Sequence, residues 1–268
     1  MMSRRWPIVA LLYVAVLLVP LAWLVSLSFK SEVEIVQKFT IWPANPVFDN
    51  FLLIFTVSSW WMGYVHAGIY VVMNVLISLI VALPAAYAFS RSEFRLKKPL
   101  FVGLLFFRLL APIIMVVPFT EIFYDIGLFD THIAVALAHC YFNVPIAIWI
   151  LEGAISAIPP EMDQSANIDG HSLFSFLGRV LIPTIAPTIA VAAFFCFVFS
   201  WVEYVLSGAL TAVDAKPISG IMMRVASVSE GDYGVLAAVS LVGFVPGIIF
   251  FLLIRRHLLQ GFAIGRAS

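Results

Sequence analysis

Six apolar stretches of about 20 residues dominate this chain, each long enough for one helical crossing of a bilayer. They are residues 7–29, 64–89, 100–123, 131–151, 185–210 and 235–254. A soluble domain is roughly half apolar and a quarter charged. Here 63% of the 268 residues are hydrophobic, 11% are charged and the mean hydropathy is +1.06. The excess runs in long blocks with no amphipathic period, so an all-α membrane protein with six transmembrane helices is expected. The first block follows Arg4 and Arg5, as a signal peptide would. Its apolar run is too long and no small-residue cleavage pattern follows, so it reads as an anchor.

Orientation follows from where the cations sit, because short cytoplasmic loops are enriched in Lys and Arg. Arg4, Arg5, Arg91, Arg95, Lys97, Lys98, Arg179, Arg255, Arg256 and Arg266 make ten on one side. Lys30, Lys38, Lys216 and Arg224 make four on the other, and Arg108 falls inside a span. Ten against four puts both termini and the fourth-to-fifth loop in the cytoplasm. With fifteen basic and fifteen acidic residues, no bulk field attracts nucleic acid. Cys140 and Cys196 lie in apolar runs and read as buried free thiols. His66, His132, His139, His171 and His257 lack metal-ligand spacing, and no nucleophile–base constellation has a supporting context. No linker, low-complexity segment or internal repeat divides the chain, so one transmembrane domain, 1–268, is expected. Pro84, Pro112, Pro118, Pro145 and Pro246 fall within the spans, where each frees backbone groups. Kinked packing and an enclosed pathway both account for them.

The loop of about residues 152–184 is polar and helix-forming. Pro159 and Pro160 stop the fourth helix and can open another, with Glu161 and Asp163 in its first turn, where the helix dipole favours carboxylates. Met162, Ser165, Ala166 and Asp169 share one largely small face at i, i+3, i+4, i+7 spacing, open to close approach by another protein. Gly170 is placed to end this helix in a left-handed cap. Ser172 can cap a second short helix with a broad apolar side, ended by Pro183. An interfacial loop lying on the membrane without a partner has the same pattern.

The segment PPEMDQSANIDGHSLFSFLGRVLIPTIAP resembles the loop signature of ABC importer permeases of the carbohydrate type, Glu-Ala-Ala, three residues, Gly, then Ile-x-Leu-Pro. Gln164-Ser165-Ala166 stands at the Glu-Ala-Ala position, a departure at two residues, while Ile168, Asp169, Gly170 and Pro183 remain in register. Asn74, then Ala85–Arg91 with Phe94, resembles the family's second span and exit; Ala111-Pro112, Val117-Pro118 and Gly127-Leu128 resemble its third. Ser200-Trp201-Val202-Glu203-Tyr204 resembles a Trp-Asn-Glu-Phe run in the fifth, with Val202 replacing Asn. Gln260, Gly261 and Gly265 resemble a Gln-Gly-x-x-x-Gly ending. The resemblance covers about residue 64 to the C-terminus.

It implies a permease in a bacterial inner membrane. Such a permease is paired with a second one, expected to be a different chain, around a translocation path. Two cytoplasmic ATPase subunits carry ATP and Mg, and an extracytoplasmic binding protein delivers a sugar, polyol or similar solute. No cofactor is expected on this chain, which has no GxxxxGK[ST] phosphate loop, and it is not expected to be an enzyme. Residues 164–170 would be the knob seated in an ATPase groove, with Glu161 and Asp163 beside it. The tail, about 255–268, is expected to be cytoplasmic and to reach between the ATPases as in some relatives.

Ionisable and polar groups within the spans are suspects for the solute path. Arg108 is open to a pairing partner or a solute contact; Glu203, between Trp201 and Tyr204, suits a polyhydroxylated solute or helix packing. Asn74 is a further path candidate. Glu121 reads as an interface residue, and His139 and Asn143 as interhelical hydrogen bonders. The rivals are an ion-gradient-driven secondary transporter, a membrane scaffold, and an ABC permease for peptides or amino acids.

Overall fold

The computed structural model describes residues 6–37, 39–228 and 232–264. Among the described residues all regular structure is helical. The helices are α1 (Trp6–Ser28), α2 (Glu32–Gln37), α3 (Asp49–Thr56), α4 (Ser58–Arg91), α5 (Lys97–Leu109), α6 (Val116–Asp125) and α7 (His132–Ser156). Then come α8 (Glu161–Ile168), α9 (Leu173–Phe176), α10 (Ile182–Thr184), α11 (Ala186–Val202), α12 (Val205–Ala209), α13 (Ile218–Val228) and α14 (Tyr233–Ile264). Four of these are long and apolar enough to cross a membrane: α1, α4, α7 and α14. The number becomes six if two bent pairs each count as one span.

Those bends correct two expectations. The third stretch, expected as one helix over 100–123, is α5 and a following pair of helical segments, Pro112–Met115 and α6, inclined at 94°. Proline explains the break. Pro112 has no N–H for the carbonyl of Arg108 and drives the preceding residue out of the helical region, and Ala111 is extended with ψ 136°. In the fifth, Pro183 does not end the loop helix. The chain runs on through a π-turn at Leu177–Leu181 and α10, then bends by 84° at Ile185, and Pro187 lies in the first turn of α11. The Ile182 N–H reaches back to the Leu177 carbonyl, the wide turn that precedes a residue unable to donate. Nor is 185–210 a single helix, since α11 stops at Glu203, extended at ψ 121°, before the short α12.

The chain groups into two compact units. One holds the described residues up to Tyr64 with Gly220–Pro246. In it the segment after α1 is tied down by polar bonds: Asn50 Nδ2 donates to the carbonyls of Ser28 and Lys30, both at 2.9 Å. Lys30 is buried, its ammonium bonded to the Thr40 carbonyl and 4.8 Å from the Trp23 ring centroid. Gly234 is glycine because a Cβ there would lie 2.6 Å from Asn50 Nδ2. The Ala44 N–H and Thr40 hydroxyl, donating to Glu34 at 2.9 and 2.8 Å, hold that carboxyl below its ordinary range.

The other unit is Val65–Ser219 with the chain from Gly247 onward. Small buried residues, Ala82 and Ala86 on α4, Ala147 on α7 and Ala192 on α11, let helix backbones approach closely. Cys196 is buried and free, as expected, and Cys140 is free and partly buried. A loop clamp closes one end of this unit: the Asp130 carboxylate accepts the backbone N–H groups of Ala212, Val213, Asp214 and Ala215 at 2.9–3.2 Å. Burial pushes its pKa up, but the four donors outweigh that and hold the carboxyl below the usual range.

Because the folded value is depressed, the clamp contributes stability above the ordinary carboxyl pKa of about 3.9 and loses it as pH falls through the folded value. Asp130→Ala is expected to expose those four amides to fast hydrogen exchange at pH 7. The wild type should show the same opening only well below about pH 4. Equal protection in the variant would mean that the segment is held by something else.

Candidate functional site: the loop between α7 and α11

Local chemistry builds this loop. Helix α7 ends at Ser156 and Pro160 is the N-cap of α8, its carbonyl accepting the Asp163 and Gln164 N–H groups. Gly170, at φ +80°, ends α8 as expected. The His171 N–H returns to the Ala166 carbonyl and the Gly170 N–H to that of Asn167, the paired bonds of a Schellman cap. Ser172 caps α9 by accepting the Ser175 N–H at 3.4 Å, also as expected.

The phase of α8 differs from the sequence reading. Met162 and Ala166 turn inward, and Ala166 packs in one core with Phe176, Leu177 and Leu181 of the loop and Leu151 and Ile155 of α7. Ser165 and Asp169 are exposed, so the four residues expected on one face are split. Ala166 is small enough for α8 to lie against the bundle end, and that contact sets the rotation. The outward surface therefore consists of Glu161, Gln164, Ser165, Asn167, Ile168, Asp169 and Gly170, extended by Phe174; Ile168 is 85% and Phe174 86% exposed. Pro183 is exposed on α10.

Asp163 also faces inward, where it meets the end of α4. Arg91 Nε donates to Oδ2 at 2.7 Å and Nη2 to Oδ1 at 3.3 Å, while the Tyr87 hydroxyl donates to Oδ2 at 3.1 Å. Arg91 Nη2 further reaches the Ile158 carbonyl at 3.0 Å, so one guanidinium grips both the start of the loop and α8. Both side chains of the ion pair are about 15% exposed, which limits solvent screening. From the sequence, Arg91 reads only as an orienting cation and a motif residue. No local spacing announces a partner 72 positions away.

The polar residues inside the helices form a second cluster. Asn74 Nδ2 donates to the Ala136 carbonyl at 2.9 Å, and Asn143 Nδ2 to Asn74 Oδ1 at 2.6 Å and the Cys196 carbonyl at 3.1 Å. These bonds strap α4, α7 and α11 together. Glu203 is buried and accepts the N–H groups of Leu206 and Ser207, with His139 Nε2 at 3.0 Å from Oε2. His139 Nδ1 lies 2.6 Å from the Ser200 hydroxyl. Nε2–H can donate to the carboxylate, and the Ser200 hydroxyl can pair with Nδ1 on the other side of the ring. Trp201 stacks on Phe197 at 5.8 Å, Tyr204 is exposed, and Arg108 is half-buried beside Phe199. Of the tail residues, Gln260 and Gly261 fall within α14, and Gly265 lies outside the described residues.

The sequence model of binding-protein-dependent transport system inner membrane components matches residues 74–262. The chain belongs to that family. It is thus a multi-pass inner membrane permease subunit with a transport role. Among similar proteins, the trehalose transport system permease protein SugB of Mycobacterium tuberculosis is 29% identical over 98% of this chain and 97% of its own. The diacetylchitobiose uptake system permease protein DasC of Streptomyces coelicolor is 24% identical over 98% and 96%. The fold is similar to a chain of a bacterial ABC transporter involved in import of the acidic polysaccharide alginate. That match has a TM-score of 0.77 and 20% identity over 96% of this chain and 98% of that one.

Proposed function

We propose that this permease forms half of the solute path of an ABC importer for a sugar, polyol or similar small hydroxylated solute. In this reading it couples the path to ATP hydrolysis on separate subunits. The observation that carries the reading is the loop of about residues 152–184, which lies within the family match and is rigidly capped. Helix α8 there turns Gln164, Ser165 and Ile168 outward while Asp163 is gripped by Arg91 and Tyr87. A docked subunit pressing on the outward face would move α4 through that grip. The sugar names of the relatives SugB and DasC support the solute class.

Six spans follow if α1, α4, the α5–α6 pair, α7, α11 and α14 each cross once, and the ten-to-four bias of cations puts the loop and both termini in the cytoplasm. The partners are two ATPase subunits holding ATP and Mg, a second, different permease and an extracytoplasmic binding protein. No cofactor resides on this chain.

The test is ATPase activity of the purified complex with its binding protein and candidate sugars, for the wild type, Gly170→Ala and Gly170→Trp. A side chain at φ +80° strains the cap by about 1–2 kcal/mol, and the indole adds bulk at the docking face. Loaded binding protein should stimulate the wild type. Gly170→Ala should keep part of that stimulation, and Gly170→Trp should lose it or shed the ATPases. Uptake that follows a proton or sodium gradient, with no ATPase co-purifying, would overturn the reading.

A further inference from the structure

Arg108 occupies the last turn of α5, just before the 94° break at Ala111-Pro112. Its guanidinium lies 4.5 Å from the Phe199 ring centroid, and Nη1 reaches the Phe142 carbonyl at 3.4 Å, a long bond. Among the described residues no Asp or Glu carboxylate lies within 4.0 Å of it. A guanidinium carries five N–H donors, so most of this one's capacity is unspent. An arginine inside a membrane span is costly unless it is paired or faces water or a ligand.

Two further features converge on the same place. Phe107, Phe119, Tyr141, Phe142 and Phe199 form an unbroken chain of ring contacts, with centroids 5.0–5.7 Å apart. Pro112 also withholds the N–H that would occupy the Arg108 carbonyl in a continuous helix, leaving an acceptor at the break. Broken helices in transporters are where ligands meet freed backbone groups. A fork of cationic donors, a freed carbonyl and aromatic faces together complement a ring-shaped solute that bears hydroxyls and a carboxylate or sulfonate.

We infer that Arg108 is a solute-recognition residue and that this permease takes an anionic sugar. The inference rests on the proposed importer function and narrows its substrate class. The carboxylate or sulfonate pairs with the guanidinium, the sugar's C–H faces lie on the accessible rings of the chain, Phe107, Phe119 and Tyr141, which Phe142 backs from the buried side, and a hydroxyl donates to the freed carbonyl.

The test is uptake into proteoliposomes carrying the complete complex and saturating binding protein. Glucuronate is the charged probe; glucuronamide and glucose are the neutral ones. The wild type, Arg108→Lys and Arg108→Gln are compared, in vesicles of phosphatidylcholine alone and with phosphatidylglycerol added. The inference requires glucuronate uptake to exceed glucuronamide uptake in the wild type and to fall about ten- to a hundred-fold in Arg108→Gln. Arg108→Lys, which keeps the charge and loses the fork, should fall between them. The wild-type comparison and the Lys variant serve if the Gln variant does not assemble.

Neutral sugars driving uptake equally in the wild type and Arg108→Gln would overturn the inference and leave the sugar importer intact. Uptake of neutral sugars that depends on Arg108 only when phosphatidylglycerol is present would assign the guanidinium to lipid and overturn it likewise. No uptake or ATPase stimulation by either class, in any variant, would instead overturn the importer reading beneath it.

Discussion

Arg91→Ala and Asp163→Ala are each expected to reduce solute-stimulated ATP hydrolysis about ten-fold, because they detach α8 from the end of α4. The Asp163 carboxylate holds three side-chain bonds, two from Arg91 and one from Tyr87. With both partners of the ion pair about 15% exposed, losing one side leaves the other poorly solvated, at a cost of about 2–3 kcal/mol. That is enough to change the loop's resting tilt without unfolding a helix that is also held by Ala166 in the core. Asp163→Asn keeps the shape and loses the charge, so it should fall between wild type and alanine. Tyr87→Phe removes one bond of the three and should cost least. The measurement is the ratio of stimulated to basal ATPase activity in complexes whose subunit content has been checked. Alanine variants with a wild-type ratio and full assembly would sink the idea that this grip transmits motion.

What the sequence makes legible here is local. Gly170 at a cap needing positive φ, Ser172 as an N-cap and the proline that breaks the third stretch all act within four residues of themselves. The rotation of α8 is not legible, because i, i+3, i+4 spacing defines a face without saying which way it points. The burial of Ala166 in the core it shares with Phe176 and Leu177 decides that. The partners of Asp163 and Glu203 lie 72 and 64 positions away, so only the fold reveals them. Interhelical bonding by His139 and Asn143 was expected from their chemistry, as polar groups among apolar helices, but not with which atoms. The angle of the third stretch was hidden as well: Pro112 signals a weakened helix, and a 94° turn also needs Leu110 and Ala111 to become extended.

Glu203 offers a test of structure against transport. Glu203→Ala leaves the Leu206 and Ser207 N–H groups and His139 Nε2 without their acceptor in a buried place. Breaking a buried charged network in this way costs about 3–5 kcal/mol, so a clear drop in the unfolding temperature of the complex is expected. Glu203→Gln should cost about 1–3 kcal/mol. With the carbonyl oxygen at the Oε1 position it still accepts from Leu206, and the amide at the Oε2 position can donate to His139 Nε2 once that ring carries its proton on Nδ1 and donates to Ser200, but the Ser207 N–H then loses its acceptor. A residue that serves only to hold α11, α12 and α7 together would then show sugar uptake in Glu203→Gln with an unchanged KM. A residue that touches the solute would show the reverse, a raised KM in a complex of wild-type unfolding temperature. With three protein donors already on its two oxygens, the geometry predicts the first outcome, and measuring KM and unfolding temperature on the same preparation separates the two.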